Sequence, residues 1–203
     1  MPGISAVFSD VGGVLLTNGF DREERARFVQ RFGLDGDDFE GRHHMLSGAL
    51  DAGQLSLDEY LDRSVFFRHR DFSKDTAREF IFSQSQALPD SLAVMERLAR
   101  HPNLLLATLN NESRELNRYR IEKFGLRKIF PVFFSSCYLG VSKPHARIFE
   151  LALALAQRQP QECVFIDDRA LNVESAARLG LHAIQFQNAA QLAADLHRLG
   201  IDP

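Results

Sequence analysis

The stretch Val7-Phe8-Ser9-Asp10-Val11-Gly12-Gly13-Val14-Leu15-Leu16 decides the fold. The run from Ile4 to Ser9 is apolar enough to be a short buried strand, and it ends on a carboxylate, Asp10. Gly12 and Gly13 then let the backbone pass close to whatever lies beside that carboxylate. In open parallel sheets, ligands bind at the carboxyl ends of the strands. Later segments repeat the pattern of polar residues after an apolar run: Asn110-Asn111, Ser142-Lys143-Pro144 and Asp167-Asp168. Together with Asp10 they point to one polar sheet edge.

Working outward, the chain changes texture at two places. Between about Asp21 and Gln86 no strand is predicted, and amphipathic helices follow one another. The first, Asp21 to Phe32, gathers Phe28, Val29 and Phe32 on one side and stops at Gly33. The second runs from the acidic cluster Asp35 to Asp38 as far as Leu50. Ser56-Leu57-Asp58-Glu59 is a capping-box pattern and opens a third helix that turns Tyr60, Leu61 and Val65 inward. A fourth starts near Ser73 and carries Ala77, Phe80 and Ile81.

From Pro89 onward helix and strand alternate. Strands are predicted at Leu104 to Leu109, Val132 to Ser135, Cys163 to Ile166 and His182 to Phe186. Helices are predicted at Asp90 to Arg100, Glu112 to Phe124, His145 to Gln157, Leu171 to Leu179 and Ala189 to Leu199, the last capped by Asn188. Short apolar strands with intervening helices imply an α/β fold, a Rossmann-like parallel sheet of five strands covered on both faces. The expected division is a core of residues 1–17 and 88–203 with a helical insert at 18–87, hinged near Thr17 to Gly19 and at Leu88-Pro89. If the four helices only packed on one sheet face, a single strand would precede all of them, an unusual order for a doubly wound sheet.

A chain of 203 residues, 45% hydrophobic, is long enough for one full core and a small insertion. A formal charge of -3 supplies no electrostatic reason for nucleic acid or an anionic membrane surface as partner. Cys137 and Cys163 have no metal-ligand spacing and sit beside apolar runs, as buried inert thiols do. Neither a secretory leader pattern nor an apolar run of ~18 residues is present, so the expected location is cytoplasmic.

The ordered set Asp10, Asn110-Asn111, Ser142-Lys143-Pro144 and Asp167-Asp168 resembles the motifs of the haloacid dehalogenase-like hydrolase superfamily over nearly the whole chain. Most of its members are magnesium-dependent phosphatases that work through an aspartyl nucleophile. The Asp-x-Gly-Gly-Val form of the first motif is similar to that of a helical-cap branch containing glucose-1-phosphate phosphatase-like proteins. The resemblance makes the insert at 18–87 a cap over the active site. It implies Asp10 as nucleophile, Lys143 as the bridge between nucleophile and phosphate, and Asn110 in the place where serine or threonine is usual. An amide can donate to a phosphate oxygen much as a hydroxyl does; Thr108 is the less favoured choice because it lies inside the strand. Asn111, Gly12 and Gly13 complete the implied phosphate cradle.

The implied cofactor is Mg²⁺, held by the Asp10 side chain, the Gly12 carbonyl and Asp168, with Asp167 and Asn172 acting through water or orienting the ligands. Such a carboxylate set suits a hard ion, and magnesium commonly uses only one or two side-chain carboxylates. The implied partner is a small phosphorylated metabolite, selected by insert residues among which Arg22, Arg42, His43 and Arg63 are candidates.

Gly12 is the main departure. The usual phosphatase pattern has an aspartate there, which protonates the leaving group and then activates water. General acid-base catalysis is worth roughly two to four powers of ten, so its loss must show in rate, in a substrate with a stable leaving group, or in a substitute such as His43, His44, Asp21 or His145. Two other readings compete with the phosphatase. A 2-haloacid dehalogenase also lacks the second aspartate but needs no magnesium, which leaves Asp167-Asp168 unexplained. A weakly catalytic phosphometabolite-binding protein would explain Gly12 and Asn110 but not the retention of Asp10, Lys143 and Asp168.

Overall fold

The computed structural model describes residues 3–202. Its centre is a parallel sheet of five strands, β1 (Ala6–Ser9), β2 (Leu105–Asn110), β3 (Val132–Ser135), β4 (Cys163–Asp167) and β5 (His182–Gln185), in the order β3-β2-β1-β4-β5. β1 is the middle strand, with Ser9 opposite Thr108 on one side and Ile166 on the other. The chain builds outward from β1 through β2 and β3, then crosses over to β4. The boundary between β1 and β4 is therefore the topological switch point, the ligand position in sheets of this kind.

Alternation along each strand supplies a core to both faces. Val7, Leu106, Val164 and Ile166 face helices α5 (Pro89–Leu98), α6 (Arg114–Lys123) and α10 (Ala189–Arg198). Ala6, Phe8, Ala107, Leu109 and Phe165 face α8 (Ala146–Ala156) and α9 (Ala170–Arg178). Side chains of this size each stabilise by about 1.5–3 kcal/mol when fully buried, so central strands buried on both faces fix the sheet.

Between β1 and α5 lie α1 (Arg22–Phe32), α2 (Gly36–Asp51), α3 (Leu57–Ser64) and α4 (Lys74–Ser83). They share an apolar cluster of their own, with Phe28, Phe39, Tyr60, Leu61 and Ile81 buried at its centre. Phe28 packs against Phe32, Phe39 and Phe80. Leu116 of α6 joins the same cluster and so ties the insert to the sheet domain. The capping box at α3 forms as its spacing demands: Ser56 Oγ accepts from the Glu59 amide at 3.2 Å, and Glu59 accepts from the Ser56 amide at 2.8 Å. Asp35 caps α2, accepting from the Asp38 amide at 3.0 Å.

Several boundaries differ from the sequence expectation for local reasons. α6 starts after Ser113, whose hydroxyl accepts from the Leu116 amide, and Glu112 stays outside the helix. β2 extends to Asn110 because Asn110 pairs with Ser135, and β4 extends to Asp167 because Asp167 pairs with Gln185. The short helix α7 (Ser136–Leu139), directly after β3, has no counterpart in the expected pattern. The end of α2 approaches it so closely that a Cβ at Gly53, where φ is +68°, would lie 2.1 Å from the Cys137 carbonyl oxygen.

The two chain crossings between sheet domain and insert are joined to each other. The Thr17 amide donates to the Gln86 carbonyl at 2.8 Å and the Leu88 amide to the Leu15 carbonyl at 2.9 Å. Arg120 of α6 clamps both: it donates to the Thr17 carbonyl at 2.8 Å, to Ser85 Oγ at 3.0 Å and to Glu112 at 2.7 Å. Arg120 and Glu112 are both buried. Removing one partner of such a pair strands the other charge, so Arg120→Ala is expected to lower unfolding free energy by about 3–5 kcal/mol, measured by chemical denaturation. Paired removal in Arg120→Met/Glu112→Gln recovers part of that loss.

Candidate active site

Asp10 stands at the β1 end of the switch point and is itself still held in the sheet, its amide donating to the Ile166 carbonyl at 2.8 Å. The Val11 amide donates to its Oδ1 at 2.7 Å. Lys143 reaches in from the loop before α8, with Nζ 3.0 Å from Asp10 Oδ2 and 2.6 Å from Asp167 Oδ2. All three side chains are buried. Burial pushes the Asp10 carboxyl up to about 7, against the opposing pull of Lys143 and with help from the charge of Asp167.

Asp167 and Asp168 are adjacent in sequence but have different surroundings. Asp167 is saturated by the protein: besides Lys143 it accepts from the Arg169 amide at 2.9 Å and from Asn172 Nδ2 at 3.0 Å through each oxygen. Asp168 Oδ1 is buried with no hydrogen-bond partner among the described residues. Burial first, and Asp167 second, raise the Asp168 carboxyl above its ordinary range. The pair follows the strand end, so one carboxylate completes the ladder and the next faces the site.

Oxygens of Asp10, Asp167 and Asp168 lie within 4.8 Å of one another. Three carboxylates face one ammonium group, and a divalent cation would balance the difference. The orphaned oxygen of Asp168 shows where that charge is missing, since a buried carboxylate without a partner is costly. Gly13 belongs to this cradle: its φ is +73°, and a Cβ there would lie 2.3 Å from Asp168 Oδ2. The residues therefore fit a hard, oxygen-seeking cation.

Asn111 positions the lysine loop. Its Oδ1 accepts from the Lys143 amide and its Nδ2 donates to the Lys143 carbonyl, both at 2.8 Å. Asn110, expected from the sequence to bind phosphate, is buried and is not among the residues lining the cavity described below. Nδ2 donates to Asn117 at 3.1 Å and Oδ1 accepts from Ser135 at 3.0 Å, because these buried polar groups have to satisfy one another. Thr108 is buried inside β2.

A cavity of about 250 Å³ lies between the sheet edge and the insert. Asp10, Gly12, Asn111, Lys143 and Asn172 line its floor, and Phe20, Ser47, Leu50, Asp51, Leu57 and Ile81 its roof. The space beside Gly12 is filled: a Cβ there would lie 2.9 Å from Asn18 Oδ1 and 3.5 Å from Arg120 Nη1. Among the substitutes for the missing acid, His44 and His145 lie outside the lining, and His145 caps α8 instead, accepting from the Arg147 amide at 3.1 Å. Asp21 lines the cavity but pairs with Arg169 at 2.7 Å. His43 also lines it, 2.9 Å from the Tyr60 hydroxyl, and burial pulls its pKa down to about 4. Arg22, Arg42 and Arg63 are not lining residues; Arg42 stacks on Phe67 at 3.5 Å.

The residues that sequence reasoning missed are Asp51, Glu112, Arg25, Arg120 and Arg169, all on the cavity wall. Only tertiary placement brings them there. Ser136 joins two of them: its Oγ accepts from the Glu112 amide at 3.0 Å and donates to the Asp51 carbonyl at 2.6 Å.

A family model for the haloacid dehalogenase-like hydrolases matches residues 4–180. The chain belongs to that family. It is 30% identical over 165 residues to Flavin mononucleotide hydrolase 1 of Arabidopsis thaliana, covering 80% of this chain and 65% of the relative. In fold it is similar to a family enzyme of Bacteroides thetaiotaomicron solved with magnesium and inorganic phosphate, with a TM-score of 0.77 at 21% identity over 92% of this chain and 96% of that one. It is also similar to the L-2-haloacid dehalogenase of Xanthobacter autotrophicus, with a TM-score of 0.63 at 18% identity over 89% and 76% of the two chains.

If Asp168 marks a cation site, Mg²⁺ raises the melting temperature of the wild type and leaves Asp168→Asn unmoved. At a concentration one hundred times the dissociation constant the gain is about 2.7 kcal/mol. Differential scanning calorimetry with and without chelator checks it.

Proposed function

We propose that this hydrolase is a magnesium-dependent phosphatase of small phosphorylated metabolites, acting through an aspartyl phosphate on Asp10. The observation that carries this reading is the buried Lys143 bridging Asp10 and Asp167, beside the unpartnered oxygen of Asp168. A nucleophilic carboxylate has to be kept from repelling an anionic phosphate. Lys143 supplies positive charge where the transferred phosphoryl group must sit. Asn111 fixes the lysine loop, and Asn172 and the Arg169 amide fix Asp167. Asp10 attacks phosphorus, the leaving-group oxygen departs, and water then hydrolyses the acyl phosphate to return the free carboxylate.

Asp10, Asp168 and the Gly12 carbonyl are the proposed Mg²⁺ ligands, with Asp167 orienting. When bound, the ion neutralises phosphate charge and orients it toward the nucleophile. Magnesium and phosphate in the Bacteroides relative, and the flavin mononucleotide hydrolase name of the plant relative, agree with this class of chemistry. Carbon–halogen cleavage does not call for the carboxylate cluster that Asp168 completes, and on that ground the dehalogenase reading is set aside.

The insert at 18–87 is the proposed cap on a core of 1–17 and 88–203. The cavity beneath it is about 250 Å³, at or below the small end of ordinary ligand pockets, which favours a compact substrate.

The test is phosphate release from a panel of sugar, acyl and alkyl phosphates, with Mg²⁺ and with chelator. Turnover is expected to require Mg²⁺ and to fall at least about 1,000-fold in Asp10→Asn. Chloride release from 2-haloacids without phosphate release from any ester would overturn the proposal.

A further inference from the structure

We infer that Asp51, at the end of α2, is the catalytic acid and base that replaces the aspartate missing at position 12. The inference rests on the phosphatase reading and supplies its missing proton donor. Gly12 offers no carboxylate, and Asn18 and Arg120 occupy the neighbouring space. Neither is a carboxylic acid. Of the other titratable groups on the cavity wall, Glu112 pairs with Arg120 and Asp21 with Arg169. His43 is held at the Tyr60 hydroxyl. Asp51 differs from all of these. Its main-chain carbonyl is bound by Ser136, its carboxylate makes no hydrogen bond or ion pair among the described residues, and Asp51 is one of the residues lining the cavity that contains Asp10.

The placement is also firm. Ser136 ties the Asp51 carbonyl to the Glu112 amide, which follows Asn111 at the polar edge of the sheet. Gly53, just past the end of α2, sits so close to the Cys137 carbonyl that a Cβ there would lie 2.1 Å from its oxygen, a close contact between this end of α2 and α7. Burial and the nearby charge of Glu112 push the Asp51 carboxyl up to about 7, opposed by Arg169 and Arg25, so much of it carries a proton near neutral pH.

The step balances. As Asp10 forms its bond to phosphorus and the bond from phosphorus to the leaving oxygen breaks, Asp51 gives its proton to that oxygen and an alcohol departs. Asp51 carboxylate then takes a proton from the water that attacks the aspartyl phosphate. Inorganic phosphate leaves, Asp10 is regenerated, and Asp51 is protonated again.

A general acid matters in proportion to how poor the leaving group is, and a structural residue does not discriminate. The experiment measures kcat/KM of wild type and Asp51→Asn with Mg²⁺ over a series of esters from alkyl phosphate to dinitrophenyl phosphate. Asp51→Asn is expected to lose about 100- to 1,000-fold on alkyl esters and less than about tenfold on the dinitrophenyl ester, which leaves as a stable anion. Activity on the dinitrophenyl ester also shows that the variant is folded. Asp51→Glu recovers part of the alkyl activity. Should Asp51→Asn fail to fold, Ser136→Ala, which frees the Asp51 carbonyl, is expected to show the same selectivity more weakly. Equal loss across the series, or no loss, overturns the assignment while leaving the phosphatase reading intact. A wild type that releases phosphate from no ester overturns the phosphatase reading itself.

Discussion

The structure depends on one buried contact, the ammonium of Lys143 between Asp10 and Asp167 at 3.0 and 2.6 Å. Burying carboxylates at the centre of a sheet is unfavourable unless opposite charge meets them with good geometry. Much of the surrounding architecture supplies that geometry. β1 and β4 are neighbours, which places Asp10 and Asp167 at one edge. Asn111 holds the main chain of Lys143 at both its amide and its carbonyl, so the lysine reaches inward from a loop that would otherwise drift. Asn172 and the Arg169 amide fill the remaining acceptor sites of Asp167. Within this carboxylate cluster, Asp168 keeps a buried oxygen without a partner among the described residues, and the charge balance stays open at that point.

The strands and helices were legible because their signals are local. Alternation of apolar residues, the Ser56–Glu59 capping box and the Gly33 stop each involve residues a few positions apart, and each acts where the sequence pattern placed it. The convergence of Asp10, Lys143 and Asp167-Asp168 on one edge could be expected because a parallel sheet sends all its carboxyl ends there. Asn110 illustrates the limit of that logic. Register places it at the edge, but Asn117 on α6 accepts from its Nδ2 and Ser135 on β3, 25 positions away, donates to its Oδ1, contacts that no local pattern announces. α7 went unread because a four-residue helix has no periodicity to detect. Asp51 was invisible for a third reason: the last residue of an amphipathic helix looks solvated until another element covers it.

The way the insert is attached explains how such distant residues come to share a cavity. Both crossings run side by side, and Arg120 holds one by the Thr17 carbonyl and the other by the Ser85 hydroxyl. The space that Gly12 leaves is therefore used. An aspartate side chain at position 12 would be drawn toward the Arg120 guanidinium, whose Nη1 lies 3.5 Å from its Cβ position. A carboxylate paired with arginine is held in its charged form, and a charged carboxylate has no proton to give.

Moving the acid onto the insert changes what positions it. An aspartate two residues after the nucleophile is carried by the same loop and stays beside the phosphate whatever the insert does. Asp51, at the end of α2, shares the cavity with Asp10, and α2 is held against α7 by the Ser136 hydrogen bond and by the absence of a side chain at Gly53. Its proton affinity depends on the same seat, because burial and the charge of Glu112 hold its carboxyl above the ordinary range. Displacing α2 would hydrate Asp51, return it toward an ordinary carboxylate and remove the proton donor in one movement.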